Sequence, residues 1–127
     1  MDFAPSPEHE AFRKVVREFA EAEIAPHAAD WDRDHHFPVE TVRKMGDLGL
    51  FGLPFPVEYG GAGSGLLTLS IAIEEISRAD ASLGITLEAA VSLGANPIFR
   101  YGTEEQKQRW LPDLVAGRAL AGFGLTE

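Results

Sequence analysis

From Leu66 to Ile76 the chain is apolar at almost every position: Leu66, Leu67, Leu69, Ile71, Ala72, Ile73 and Ile76. Only Glu74, Glu75 and Arg78 bring charge to that neighbourhood. A helix with one apolar stripe lies on a surface, whereas a helix apolar on most sides has to be surrounded by others. The rest of the chain must therefore supply the cover, and its residues do so at helical spacing. Ser6-Pro7-Glu8 reads as a helix start, with serine as N-cap, proline at the first helical position and an acid behind it. Phe12, Val15, Val16, Phe19, Ala20 and Ile24 then form one stripe. Pro26 predicts a break, after which Ala28 to Trp31 resumes a short helix that closes in Asp32-Arg33-Asp34-His35-His36.

A further helix starts after Phe37-Pro38, with Val42, Met45 and Leu48 as its buried side and Gly49 as its terminator. Residues 50–65 hold Pro54, Pro56 and five glycines, which predicts a loop of fixed turns. Another apolar helix runs from about Ser82 to Tyr101, bent or interrupted at Gly94 and Pro97. Thr103 and Gln106 have capping-box spacing, with Glu104 and Glu105 favouring the positive end of the helix dipole. That last helix stops near Gly117, and Leu120 to Leu125 reads as the start of a strand. The fold class expected is all-α: an orthogonal or up-down bundle of five or six helices, with the first residues of a β-strand at the C-terminus. The boundaries expected are a helical domain over 1–119 and the beginning of a second domain over 120–127.

Composition removes several functions. A length of 127 residues suits one domain with a real core. A net charge of −9 disfavours nucleic acid and anionic membranes, since both need a concentrated basic surface. The absence of cysteine excludes disulfides, thiolate zinc sites and thiol nucleophiles. No apolar run approaches the roughly 18 residues of a membrane span. The opening Met1-Asp2-Phe3-Ala4-Pro5 lacks the basic start of an export or import signal, so a cytoplasmic location is expected.

Three clusters invite chemistry and read better as structure. Gly61-Ala62-Gly63-Ser64-Gly65 could cradle a phosphate, but a dinucleotide fingerprint needs a preceding strand, and Pro54-Phe55-Pro56 stands there instead. Lysine is also absent from 45 through 106, so a structural turn is the better reading. His35-His36 with Asp32 and Asp34 has metal-ligand chemistry, yet adjacent histidines splay apart and the charges suit a solvated helix end, so no metal is expected. Glu74-Glu75 on the most apolar helix raises the question of a buried acid or base. A salt bridge from Glu74 to Arg78, four residues on, is the simpler account.

Four motifs occur together in one order: Pro38 with Met45, Leu48-Gly49-Leu50 and Gly52; Pro56-x-Glu58-Tyr59-Gly60-Gly61-x-Gly63; Glu74-Glu75-Ile76-x-Arg78; and Gly102-x-Glu104-x-Gln106-Lys107. With Leu111-Pro112-x-Leu114 and the closing Leu125-Thr126-Glu127, the whole chain resembles the N-terminal helical domain of the acyl-CoA dehydrogenase family. These are flavoenzymes that desaturate fatty or branched acyl-CoA thioesters. The resemblance implies FAD as cofactor in a longer parent, an acyl-CoA substrate, further domains of the parent, a homo-oligomer and an electron-transfer acceptor. It implies that Ile85, Thr86, Ala89 and Leu93 floor the acyl pocket, although the same residues would also suit a plain core. It implies that Phe123, Leu125 and Thr126 meet the flavin ring. The catalytic base lies downstream of this region in the family, so the chain by itself is expected to be colourless and inactive. Flavin oxidases and monooxygenases share the architecture, and a free-standing helical interaction module is the alternative of another class.

Overall fold

The computed structural model describes residues 4–126. Helix α1 (Pro7–Glu23) begins where the sequence placed it, with Ser6 Oγ accepting from the His9 backbone N–H at 3.2 Å. Its buried side is Val16 and Ala20, with Ile24 following and Phe12 and Phe19 packed at the edge. Val15 belongs to the sequence stripe but is exposed, because it sits at the margin of the face that α4 covers. Helix α2 (Ala28–Arg33) is short, and α3 (Val39–Asp47) buries Val42 and Met45. Leu48 is an exposed residue rather than part of that buried side, since the helix ends at Asp47 and Gly49 turns the chain with φ of 77°.

The proline- and glycine-rich stretch is no surface loop. It forms two 3-10 turns, Leu50–Gly52 and Val57–Tyr59, and contributes Leu50, Phe51, Leu53, Phe55 and Tyr59 to the core. The stretch closes on itself through backbone hydrogen bonds from Ala62 to Gly52 O (3.0 Å), from Gly63 to Phe55 O (2.8 Å) and from Ser64 to Leu53 O (2.8 Å). Those bonds satisfy the polar backbone that burial would otherwise strand.

Helix α4 (Gly65–Ala79) packs between α1 and α5 (Ala81–Glu88). It is the buried helix the sequence demanded from Thr68 onward, although Leu66 and Leu67 in its first turn are exposed. Asp80 caps α5, its carboxylate accepting from the Ser82 and Leu83 N–H groups. The rod then widens into a π-helical turn, Ala89–Ala95, and continues without a break as α6 (Asn96–Tyr101). Gly94 and Pro97 thus reshape the helix instead of interrupting it. Counting that rod once, the described residues hold six helices, an all-α bundle. Among them no helix is long and apolar enough to cross a membrane.

Helix α7 (Glu104–Val115) carries the full capping box. Gln106 N–H donates to Thr103 Oγ1 at 3.3 Å, and Thr103 N–H donates to Gln106 Oε1 at 2.8 Å. Thr103→Ala is expected to cost about 1 kcal/mol, read as a lower urea midpoint with an unchanged slope. Beyond Gly117, residues 120–126 carry no helix or strand. The strand expected there is not formed, because a strand needs a neighbour to bond and the described chain offers none. Glu127, which completes the Leu-Thr-Glu motif, lies outside the described residues, as do Met1 to Phe3.

Candidate functional site

The rod of α5, the π turn and α6 repeats every four residues. Leu83, Leu87, Val91 and Ala95 are all buried on one side. On the opposite side Ile85, Ala89 and Leu93 follow the same step, with Ile85 66 % and Leu93 41 % exposed and Ala89 half-buried. An α-helix turns about 100° per residue, so a step of four drifts by about 40° each time. The wider π turn drifts roughly as far in the opposite sense. One α step followed by one π step therefore returns Leu93 to the line of Ile85. The four-residue repeat was the sequence signal for this turn, and reading it as ordinary helix missed it. Pro97 contributes, since it has no N–H to return to the preceding turn, and Asn96 donates five residues back to Val91 O.

Thr86 stands beside that line, half-buried, with its hydroxyl donating to Ser82 O at 2.8 Å. Concavities among the described residues lie elsewhere. One of about 660 Å³ sits between α2 and the start of α5 and includes Trp31, His36, Phe37 and Asp80. One of about 160 Å³ includes Phe55, Leu66, Val91 and Phe99, and one of about 170 Å³ includes Arg17, Glu75 and Arg78. Ile85, Ala89 and Leu93 border none of the three. They form an open apolar wall.

The segment carrying Phe123, Leu125 and Thr126 reaches the same rod. A Cβ placed on Gly94 would stand 2.8 Å from Ala121 Cβ and 3.3 Å from Ala121 O, so the chain crosses the π turn one residue beyond Leu93. Past this crossing Phe123 is 53 % and Leu125 83 % exposed, and Thr126 is exposed too. Among the described residues no hydrogen bond joins 120–126 to the rest. Helix α7 packs against the π turn, and its Leu111 and Val115 are buried. Arg118 adds a hydrogen bond from Nε to Asp113 Oδ1 at 2.8 Å. Tyr59 fastens the start of α7 by donating to Glu104 Oε2 at 3.0 Å, and burial together with that carboxylate pushes its hydroxyl up to about 12.

The buried acid is Glu75, not Glu74. It is 1 % exposed and takes four hydrogen bonds: from Arg13 and Arg17 to Oε1, and from Arg17 and Arg78 to Oε2, at 2.8–2.9 Å. Arg17's hydrogen bonds, then those of Arg13 and Arg78, hold it down to about 2 against the opposing effect of burial. Arg78 pairs with Glu75 at three residues, while Glu74 pairs with Arg13 across to α1. A carboxylate so fully bonded is an ionic tie between α1 and α4 and has no free lone pair for proton transfer. Among the described residues no group of histidines and acids has metal-binding geometry. Gly61 lies against backbone, where a Cβ would come 2.0 Å from Phe55 O.

The profile of the acyl-CoA dehydrogenase N-terminal domain matches residues 6–118. The chain belongs to the acyl-CoA dehydrogenase family. Within it, the short-chain specific acyl-CoA dehydrogenase of Clostridium acetobutylicum is 48 % identical over 127 residues, all of this chain and 34 % of that protein. A glutaryl-CoA dehydrogenase solved with glutaryl-CoA superposes with a TM-score of 0.94 at 42 % identity, over all of this chain and 33 % of the other. An acyl-CoA dehydrogenase from Bacillus anthracis solved with FAD gives a TM-score of 0.84 at 36 % identity, over 92 % of this chain and 20 % of the other. The chain thus spans about a third of the length of its curated relatives. The acyl-CoA dehydrogenase resemblance read from the motifs is the family the chain has.

Proposed function

We propose that this domain supplies the acyl wall and one edge of the flavin site of an FAD-dependent enzyme that desaturates acyl-CoA thioesters between the α and β carbons. The observation that carries the reading is the meeting of two features at Gly94: the outward apolar line of Ile85, Ala89 and Leu93, and the segment bearing Phe123, Leu125 and Thr126. An apolar line left open suits the methylenes of an acyl tail, with the Thr86 hydroxyl beside it. The residues of the segment also suit a flavin. Phe123 and Leu125 offer apolar surface to a ring face, while unbonded backbone N–H groups and the Thr126 hydroxyl offer donors to its polar edge. FAD, when bound, supplies the acceptor for the hydride that leaves the β carbon. The protein's own share is to exclude water along the tail and to hold the two sites at a fixed spacing. The proton-abstracting base, the rest of the flavin site, a homo-oligomer and the electron acceptor belong in this reading to the longer enzyme.

Ala89→Phe tests it in a full-length enzyme made by joining residues 1–127 to the remaining two thirds of the Clostridium acetobutylicum relative. A phenyl ring there takes the volume of several distal methylenes, each worth about 0.8 kcal/mol of burial. Efficiency on octanoyl-CoA is expected to fall more than tenfold relative to butyryl-CoA, with flavin content unchanged. Equal losses on both substrates, with a lower melting temperature, would mean that the wall is core and the reading fails.

A further inference from the structure

We infer that Gly94 is a positioning residue: it seats the 120–126 segment against the π turn and so sets the distance between the acyl wall and the flavin edge. The inference rests on the function proposed above and adds a residue that touches neither substrate nor cofactor in it. Gly94 has an ordinary backbone conformation, since its φ lies outside the left-handed range where Gly49, Gly60, Gly63, Gly65 and Gly117 are found. Backbone freedom therefore does not require glycine at this position. Space does: the nearest atoms to an added Cβ are all from Ala121, at 2.8 Å to Cβ, 3.3 Å to O and 3.5 Å to Cα.

A methyl group at 94 has to move one of two partners, and they are unequally held. The rod is fixed from behind by Leu87, Val91 and Ala95, all buried. The segment has no hydrogen bond to the rest among the described residues, and most of its side chains are exposed. Carbon atoms sit best at roughly 3.5–4.0 Å, so the contact between the π turn and the segment has to open by roughly 0.7–1.2 Å, and the spacing of the two sites changes with it. Alanine is also the better helix former, so the rod itself gains from the change. The displacement is passed along the chain to Phe123, Leu125 and Thr126, two to five residues further on. Misplacement on the order of 1 Å at a reacting pair costs up to about a hundredfold in rate.

The test uses the same joined full-length enzyme, with butyryl-CoA as the probe. Gly94→Ala is expected to slow flavin reduction in anaerobic single turnovers by tenfold to a hundredfold, to shift the flavin absorption band, and to leave the melting temperature within 2 °C or so of the parent. Ala121→Gly removes the Cβ that is struck, so the pair Gly94→Ala/Ala121→Gly is expected to recover the parental rate and spectrum to within about threefold. A Gly94→Ala enzyme with parental rate and spectrum overturns the inference, as does a slow one that the second change fails to restore. If Gly94→Ala alone proves unstable, the pair decides: a folded, fast enzyme supports the seat at Ala121, and a slow or unfolded one overturns it. Ala89→Phe keeps the two ideas apart. A shifted acyl preference there with no effect at Gly94 defeats this inference alone, while loss of that shift defeats the function beneath it.

Discussion

Arg13→Met/Arg17→Met is expected to lower the unfolding free energy by about 3–5 kcal/mol, more than Glu75→Gln does. The ranking is informative because the glutamate stands at the centre of the cluster. Glu75 is the buried charge, at 1 % exposure, whereas Arg13, Arg17 and Arg78 keep 20 %, 44 % and 56 % of their side chains in water. Removing the glutamate leaves arginines that rehydrate, at a cost of about 1.5–3 kcal/mol for lost charged hydrogen bonds. Removing two arginines strands a carboxylate away from water with only Arg78 beside it. The melting temperature should fall on the order of 10–20 °C for the double variant. Equal losses for the two variants would show that water reaches Glu75.

Acid separates them further. The folded protein holds Glu75 at about 2, against an ordinary value near 4.5. A group whose folded value is depressed contributes its full stability above the unfolded value and loses it as the pH falls through the folded one. The parent should thus lose about 3 kcal/mol between roughly pH 4.5 and pH 2. Glu75→Gln has no such group, so its acid loss over that window should be smaller by that amount, as pH-stepped urea melts would reveal.

Gly61→Ala is the second large effect, with an expected loss of about 3 kcal/mol or more. The new Cβ would stand 2.0 Å from Phe55 O, 2.5 Å from Phe55 C and 2.8 Å from Gly52 O. Each of those atoms is backbone, so no side chain can swing aside. The turn has to open, and Leu53 and Phe55, which it places in the core, move with it. Gly63→Ala is the control two residues away. Its φ is 62° and nothing lies within 4 Å of an added Cβ, so strain alone acts, about 1–2 kcal/mol. A Gly61 variant no worse than the Gly63 variant would mean that the close approach is relieved without opening the turn.

Both effects mark where the sequence was readable and where it was not. Ser6-Pro7 and the Thr103–Gln106 box were legible because a cap needs only residues three apart. The burial of Leu50, Phe51, Leu53 and Phe55 was not, since prolines and glycines announce a turn and say nothing about which side of the molecule it faces. Choosing between Glu74 and Glu75 required knowing the rotation of α4 against α1, which Arg13 and Arg17 settle from 58 to 62 residues away. Family motifs pointed to Ile85, Ala89 and Leu93 as one face, but the face is straight only because of the π turn, which a 3.6-residue template does not contain.

That turn leaves the rod open to a particular kind of evolution. From Ile85 to Leu93 the eight steps advance roughly 10–11 Å and turn about two full circles, because the π half both rises less and turns less per residue than α. Seven steps of plain α-helix cover almost the same distance and almost the same angle. A single residue can therefore be lost within 89–95 with Leu83 and Phe99 left where they are. Length changes elsewhere in a packed helix rotate everything downstream, whereas here the wall facing Ala89 can be resurfaced and both ends keep their neighbours.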